Sequence, residues 1–251
     1  MSGLQDDPRD ASTAANESAE PVQVVILAAG MGTRLGRPHP KPLTELSDGR
    51  SIMSQQHDNI RAAFGDRARI SIVVGFKQDL IMEAFPDSVF VYNEAYDQTN
   101  TSKSLLKALR ASWPGPVIWM NGDVVFDPEV LRRLEPELSA GRSVVCVDTS
   151  TVAEEEVKYT VDKTGHIAEL SKQVEDGAGE AVGINLIAAA DKAALIAHLD
   201  ACDDQDYFER GIELGIEGND LQMVPLDITD LFAVEVDFAE DLARANRELG
   251  G

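Results

Sequence analysis

The regular alternation of apolar, β-rich runs with amphipathic helical patterns is the feature that most constrains the fold of this chain. Residues 22–27 form an apolar run, residues 51–64 have helical periodicity, and residues 70–74 are apolar again. Strands that alternate with helices are typical of parallel sheets, because a parallel pair needs a crossover long enough to hold a helix. The pattern therefore predicts a βαβ unit over residues 22–74.

The same alternation continues to residue 147 and then changes. It predicts helices at 78–85, 102–112 and 128–138, and strands at 89–92, 117–120 and 144–147. Beyond residue 149, two β-rich runs flank the turn sequence DKTG, which is typical of an antiparallel hairpin at 157–170. Further strands are predicted at 181–187, 221–226 and 232–236, with helices at 191–199, 206–216 and 238–249. The predicted class is α/β: a Rossmann-like three-layer α/β/α fold with a mostly parallel mixed sheet and a small β-rich extension.

The amino-acid composition limits where the protein can be located and which molecules it can bind. The 251 residues carry a formal charge of −22, and no apolar run approaches the roughly 20 residues that span a bilayer. Such acidity disfavours nucleic acid and anionic membranes as partners, so a polyanionic substrate needs local cations. Residues 1–20 are polar and acidic without a signal-peptide core, so we predict a disordered tail, one domain over 21–251, and a cytoplasmic protein. Cys146 and Cys202 lack the spacing of a disulfide framework or a zinc site.

A glycine- and proline-rich loop, AAGMGTRLGRPHPKPL at residues 28–43, directly follows the first apolar strand. A strand that runs into glycines is typical of a phosphate-binding loop. The prolines forbid the helix that a dinucleotide-binding motif needs, the glycine spacing misses that motif by one residue, and no Lys-Ser or Lys-Thr follows the last glycine. What remains is an extended loop with two cations, Arg34 and Lys41, which predicts a binding site for a nucleoside triphosphate.

Two aspartates follow predicted strands in positions suited to a metal ion. Asp123 lies in WMNGDVVF, just past the strand at 117–120, and Asp237 lies in FAVEVDFAEDLARA, before the last helix. Mg²⁺ prefers oxygen ligands and usually takes one or two carboxylates beside phosphate oxygens. Asn121 and Glu235 are placed to support such a site. The alternative is structural: Asp123 as a turn residue and Asp237 as a helix N-cap.

These motifs resemble the signature of the sugar-nucleotide-type nucleotidylyltransferases, most closely the branch of phosphocholine, inositol-phosphate and phosphonate cytidylyltransferases. The resemblance covers residues 22–249 and implies that 21–251 is a nucleotidyltransferase domain. It implies that Arg34 contacts the pyrophosphate leaving group, that Lys41 contacts the α-phosphate, and that Asp123 and Asp237 bind Mg²⁺. Contacts to the nucleotide are implied for Leu27, Ala28, Ala29, Gly30, Gly32, Thr33, Gly75 and Asn121.

Segments 92–109, 167–184 and 207–213 resemble the acceptor side of the same family. The resemblance implies that Lys172 approaches the acceptor phosphate and that Asn100 and Ser104 line the acceptor pocket. A surface lysine and a helix cap are the plain alternatives for Lys172 and Asn100. Lys103 departs from the family, which tends to have an aromatic residue there, and we take it as an acceptor-binding cation that favours an acceptor with an extra negative charge.

The sequence thus predicts an Mg²⁺-dependent nucleotidylyltransferase of the EC 2.7.7 type that transfers a nucleoside monophosphate, CMP in the favoured case, from an NTP to a small phosphorylated or phosphonate acceptor. An acceptor phosphate is already anionic, so no catalytic base is needed, and the four histidines show no shared spacing. Two alternatives stay open: a sugar-1-phosphate nucleotidylyltransferase that uses UTP, GTP or dTTP, and a non-catalytic nucleotide-sensing subunit. The acceptor, the base and the oligomeric state, including a homodimer, also stay open.

Overall fold

The computed structural model describes residues 20–32, 35–36, 38–150 and 156–250. The predicted tail at 1–20 therefore lies outside the described residues except for Glu20. The described strands are β1 (Val22–Ala28), β2 (Ala68–Val74), β3 (Val89–Tyr92), β4 (Val117–Asn121), β5 (Val124–Phe126), β6 (Val144–Asp148), β7 (Lys158–Val161), β8 (Ile167–Ser171), β9 (Gly179–Ile187), β10 (Val224–Asp227) and β11 (Ala233–Glu235). The described helices are α1 (Ile52–Phe64), α2 (Gln78–Ala84), α3 (Thr101–Ala111), α4 (Glu129–Ala140), α5 (Lys192–Ala201), α6 (Phe208–Glu217) and α7 (Ala239–Leu249).

A mixed sheet forms the centre of the fold, with the strand order β10-β6-β9-β4-β1-β2-β3. Strand β1 is parallel to β2 and β4, β2 is parallel to β3, and β10 is parallel to β6. Strand β9 runs antiparallel to both β4 and β6. The β7–β8 hairpin attaches to β9, while β11 pairs with β5 in a separate two-stranded sheet. The predicted mostly parallel mixed sheet with a β-rich extension is confirmed.

The side chains of β1 show why the fold has three layers. All seven residues of β1 are buried, which explains why six of them are apolar; the exception is Gln23. Val24 and Ile26 lie in one core cluster with residues of α1 and α4, whereas Val25 and Leu27 lie in a second cluster with residues of α3, α5 and α6. Since alternate residues of a strand face opposite sides of the sheet, helices cover both faces.

Local signals set most of the element boundaries. Helix α1 begins after Ser51, whose side chain accepts a hydrogen bond from the backbone N–H of Ser54 at 3.1 Å. Helix α4 begins at Glu129, one residue later than predicted, and the Asp127 carboxylate still accepts from the Glu129 N–H at 2.8 Å. The glycine-rich loop is not wholly extended, because a short 3₁₀ helix covers Lys41–Leu43. Both cysteines are buried, and none of the described helices is long and apolar enough to cross a membrane.

Candidate active site

A cleft of about 480 Å³ opens at the carboxyl ends of β1 and β4, the edge where open α/β sheets bind ligands. The glycine loop after β1 and the turn between β4 and β5 form one wall. The rest is formed by the first residues of α3 and α6, by strand β9, by the junction of β11 with α7, and by Glu156, Val157 and Lys172. The described lining comprises Leu27, Ala28, Gly30, Gly32, Lys41, Pro42, Thr101, Asn121, Gly122, Asp123, Glu156, Val157, Lys172, Ala181, Gly183, Tyr207, Phe208, Glu209, Glu235, Asp237, Phe238 and Asp241.

The Lys41 ammonium joins the two predicted metal-binding aspartates. It donates to Asp123 Oδ2 at 2.6 Å and to Asp237 Oδ1 at 2.5 Å, and the residue is only 8% exposed. Burial by itself lowers the pKa of Lys41, but the charges of Asp123 and Asp237 and their hydrogen bonds outweigh it, so the pKa lies above its usual value. The lysine is therefore held charged and fixed in place at the cleft.

Backbone pairing explains why Asp123 and Asp237 meet although they are far apart in sequence. Strand β11 runs antiparallel to β5, with Glu235 opposite Val124. The Val236 N–H donates to the Asp123 carbonyl oxygen at 3.0 Å, and the Gly122 N–H donates to the Leu27 carbonyl oxygen at 2.9 Å. These two bonds place the β4–β5 turn between the end of β1 and the start of α7, with both carboxylates in the cleft.

The chemistry of this pair fits a hard divalent cation. Asp123 Oδ1 and Asn121 Oδ1 are both buried, and neither has a hydrogen-bond partner among the described residues. Unpaired buried oxygens are costly unless a ligand satisfies them, and two carboxylates are as many as Mg²⁺ usually takes from a protein. No cluster of three or more His, Cys, Asp or Glu residues suited to a metal occurs in the described part of the chain. Asp123 and Asp237 are the residues that could hold such an ion at this cleft.

Glu235 lines the same cleft beside this pair and is half-buried. Burial, and after it the nearby charge of Asp123, raises the pKa of Glu235 well above its usual range. The Asn121 side-chain amide donates a long hydrogen bond of 3.5 Å to Glu235 Oε1. The structure thus brings Asn121 and Glu235 to the place where they were expected to support the two aspartates.

Besides Glu235, nine of the predicted site residues line the cleft together. They are Leu27, Ala28, Gly30, Gly32, Lys41, Asn121, Asp123, Lys172 and Asp237. Ala29 and Gly75 lie behind the wall instead: both are buried, and a Cβ atom on Gly75 would come within 2.7 Å of the Ala29 carbonyl oxygen and 2.5 Å of the Tyr96 Cβ. The predicted site residues Thr33 and Arg34 lie outside the described residues.

Three predicted acceptor residues are placed elsewhere, and Lys103 is the clearest correction. Its ammonium donates to the carbonyl oxygens of Leu199, Asp200 and Cys202 at 3.3, 3.2 and 2.5 Å. These carbonyls belong to the C-terminal end of α5, where a cation is favoured by the helix dipole. Lys103 is therefore a helix-capping residue, and the expected acceptor with an extra negative charge loses its basis.

Asn100 and Ser104 also serve the fold rather than the cleft wall. Asn100 is the N-cap of α3 and accepts from the Thr101 N–H at 2.8 Å. The Ser104 hydroxyl is buried and accepts from the Asn93 amide at 3.0 Å. Thr101 is the residue of α3 that reaches the described lining, and its hydroxyl accepts from the Phe208 N–H at 3.0 Å.

Sequence reasoning missed a group at the start of α6, although it had marked segment 207–213. Lys172 Nζ lies 5.3 Å from the centre of the Tyr207 ring, and Glu209 stands in the first turn of α6. Burial raises the pKa of Glu209 to about 7, while the nearby charge of Lys172 opposes that rise. The sequence signal that could have indicated this group is the position of Glu209 on the otherwise apolar, buried face of α6.

Comparisons with known proteins identify the family to which this chain belongs. The family model described as a MobA-like NTP transferase domain matches residues 24–202. A CMP-5'-(3-aminopropyl)phosphonate synthase from Streptomyces rubellomurinus is 37% identical over 139 residues, which cover 51% of this chain but only 22% of that protein. A 2-aminoethylphosphonate cytidylyltransferase from Lancefieldella rimae is 25% identical over 239 residues, covering 90% of this chain and 92% of its own length.

Solved structures share the fold over nearly the whole chain. The inositol-1-phosphate CTP transferase from T. maritima has a TM-score of 0.76 at 14% identity, covering 92% of this chain and 96% of its own. The CTP:phosphocholine cytidylyltransferase from Streptococcus pneumoniae has a TM-score of 0.71 at 18% identity, covering 91% and 99%. At such identities these structures establish the fold and nothing finer.

Proposed function

Because the chain belongs to the family of MobA-like NTP transferase domains, and is thereby a nucleotidyltransferase, we propose that it transfers CMP from CTP to a small phosphonate or phosphate acceptor and releases pyrophosphate. The choice of CTP is supported by the names of the relatives, two of which describe CMP transfer to phosphonates. A purely nucleotide-sensing role is disfavoured, because Lys41, Asp123 and Asp237 are all present and meet in one cleft.

The meeting of Lys41 with Asp123 and Asp237 beside the glycine loop is the observation that carries this proposal. Gly30 and Gly32 form the neighbouring stretch of the wall, and Gly32 adopts a positive φ of 57°. A Cβ atom at Gly32 would come within 2.9 Å of the Lys41 Cβ, so glycine allows the loop to fold tightly over the lysine. A triphosphate beside this loop would have its α-phosphorus within reach of Lys41.

The proposed reaction is an in-line displacement at the α-phosphorus. An acceptor oxygen forms a bond to that phosphorus while the bond to the bridging α–β oxygen breaks, and the electron pair leaves with pyrophosphate. Lys41 donates hydrogen bonds to the α-phosphoryl oxygens, where negative charge must be balanced in the transition state. Asp123 and Asp237 would hold Mg²⁺, which supplies charge neutralisation on the phosphate oxygens.

The acceptor needs binding rather than activation. A phosphate or phosphonate oxygen is anionic near neutral pH, so no side chain must remove a proton from it. Lys172 is the lysine of the described lining that is not paired with Asp123 and Asp237, and we assign it to the acceptor anion. The protein then contributes position and charge, which are the main sources of rate enhancement in phosphoryl transfer.

An assay of pyrophosphate release tests the proposal. It would use Mg²⁺, each of CTP, UTP, GTP, ATP and dTTP, and a panel of phosphonates, phosphate monoesters and sugar 1-phosphates. We expect release with CTP and a phosphonate or phosphate ester, and its loss in Asp123→Asn. Asp230→Asn is the matched control, because Asp230 is 68% exposed and pairs with Arg133 outside the cleft. Release confined to UTP, GTP or dTTP with a sugar 1-phosphate would replace this proposal with the sugar-nucleotide alternative.

A further inference from the structure

A buried amide on helix α1 reaches both ends of the turn that carries Asp123. The Gln56 side-chain Nε2 donates to the Asn121 carbonyl oxygen and to the Val124 carbonyl oxygen, each at 2.8 Å. Asn121 ends β4 and Val124 begins β5, so the two bonded carbonyl groups flank Gly122 and Asp123. Gln56 is fully buried, and both of its N–H groups are used at this turn.

Strand pairing leaves the Val124 carbonyl without a partner in β11. In an antiparallel pair, the backbone groups of alternate residues point toward the partner strand, and those of the residues between them point away. The Val236 N–H donates to the Asp123 carbonyl oxygen at 3.0 Å, which turns that carbonyl toward β11. The carbonyl of the next residue, Val124, therefore points away from β11, and Gln56 on α1 supplies its donor. A side chain thus takes the place of a further strand beside Asp123.

Two neighbouring amides on the same helix bind a different carbonyl group. Gln55 Nε2 and Asn59 Nδ2 donate to the Phe126 carbonyl oxygen at 2.7 and 2.8 Å. Both residues are buried like Gln56, but Phe126 lies at the far end of β5, away from the turn at Asp123. Phe126 therefore keeps one amide donor when the other is removed, whereas the loss of Gln56 takes a donor from both ends of the turn at once.

The second polar atom of Gln56 indicates that its contribution is mainly geometric. The Oε1 atom is buried and has no hydrogen-bond partner among the described residues. A buried polar atom without a partner costs free energy, which offsets part of the gain from the two bonds that the amide donates. The larger consequence of those bonds is that they fix the backbone on both sides of Gly122 and Asp123.

We propose that Gln56 is a positioning residue for the metal site, which holds the β4–β5 turn so that Asp123 and Asp237 can bind one Mg²⁺ ion. This role rests on the proposed function, which assigns Mg²⁺ to those two aspartates. Mg²⁺ demands near-ideal octahedral geometry at short distances, so a small shift of one carboxylate lowers its affinity. Groups that orient a metal ligand without touching the metal typically change metal affinity or activity about 10- to 100-fold.

The Mg²⁺ dependence of two matched variants tests this role. Gln56→Met keeps the approximate size of the side chain and removes its donors, and Gln55→Met does the same at a buried residue whose Oε1 is likewise unpaired. We expect Gln56→Met to raise the Mg²⁺ concentration for half-maximal pyrophosphate release about tenfold, and Gln55→Met to change it by less than about twofold. Urea denaturation should show similar losses of stability in the two variants.

A measurement without turnover separates metal binding from the chemical step. The Tm of the protein, titrated with Mg²⁺ at saturating CTP and without an acceptor, should report the same weakening of Mg²⁺ binding in Gln56→Met and little change in Gln55→Met. A second variant, Gln56→Asn, keeps an amide but withdraws it by one methylene group. It should shift the Mg²⁺ dependence in the same direction as Gln56→Met.

The outcomes separate this role from the proposed function. Equal Mg²⁺ dependence in Gln56→Met and Gln55→Met, at similar stability, would overturn the positioning role and leave CMP transfer intact. Unfolding of both Gln56 variants while Gln55→Met folds would also overturn it, because Gln56 would then be a structural residue. A wild-type protein without any Mg²⁺ response in either assay would overturn the proposed metal site and this role together.

Discussion

Lys41 and Asp237 are 196 positions apart in sequence, yet the lysine ammonium donates to the aspartate carboxylate at 2.5 Å. The contact ties the glycine loop after β1 to the last strand-to-helix junction, and Asp123 shares the same ammonium at 2.6 Å. A cation thus already sits between the two carboxylates to which we assign the metal ion. The glycine loop, the two aspartates and helix α7 are therefore joined through one ammonium group. Each of these parts can be changed separately.

The Mg²⁺ dependence should respond to Asp237 specifically. Asp237→Asn removes one negative oxygen ligand, so we expect the Mg²⁺ concentration for half-maximal pyrophosphate release to rise about tenfold or more. The stabilisation of the folded protein by Mg²⁺, measured as a shift in Tm, should shrink in parallel. An unchanged Mg²⁺ dependence in both assays would remove Asp237 from the metal site.

Gly75 should be required for stability rather than for nucleotide contact. Alanine there forces its Cβ against the Ala29 carbonyl oxygen at 2.7 Å, and this backbone atom cannot move freely. We expect Gly75→Ala to lower the free energy of unfolding by about 1–3 kcal/mol in urea denaturation. Gly30→Ala is the matched control, because a Cβ at Gly30 meets nothing within 4 Å. Equal stability of the two variants would contradict the packing described for Gly75.

Lys103 should contribute to the stability of the folded protein and not to binding of the acceptor. Lys103→Met removes the cation that caps the carbonyl groups at the end of α5, which should cost about 1 kcal/mol of unfolding free energy. KM for the acceptor should stay within about twofold, since Lys103 does not reach the described lining. Lys107→Met, one turn further along α3 and paired with the exposed Glu94, provides the comparison. A large rise in acceptor KM for Lys103→Met alone would restore the original assignment.

His57 should make the protein less stable in mild acid. Its ring lies 4.6 Å from that of Phe85, and burial, followed by the charge of Arg61, lowers its pKa from 6.5 to about 4. Between these two values the unfolded chain binds more protons at this residue than the folded chain, so its contribution to stability falls as pH drops from 6.5 to 4. A nuclear magnetic resonance titration should show His57 neutral down to about pH 4, and His57→Leu should flatten the pH dependence of unfolding over that range. A His57 titration near pH 6.5 would contradict the environment that we describe.

The sequence predicts the layers of this fold well because hydrophobic periodicity is local. The predicted strand at 89–92 has the same bounds in the structure, and the burial of β1 agrees with its largely apolar sequence. Lys41, Asp123 and Asp237 were identified by motif, whereas the distances between them depend on the pairing of β5 with β11, which no local pattern specifies.

The acceptor side was predicted less well, for reasons that lie in tertiary packing. Lys103 ends at the carbonyl groups of α5 because α3 and α5 pack together, and nothing near Lys103 in the sequence indicates that neighbour. The family resemblance assigned Asn100 and Ser104, at the start of α3, to the acceptor pocket. Of residues 100–104, only Thr101 reaches the described lining. Glu209 was overlooked because a single glutamate in a helix is usually solvated.

The central claim, that Lys41 and the aspartates act on one triphosphate, is tested most directly by a double-mutant cycle. We would measure kcat/KM for CTP in the wild type, Lys41→Ala, Asp237→Ala and the double variant, with saturating acceptor. Removal of Lys41 should lower kcat/KM about a thousandfold. The double variant should have a kcat/KM little lower than that of the poorer single variant, because both groups stabilise one transition state. Losses that multiply in the double variant would show two independent sites and would contradict the account.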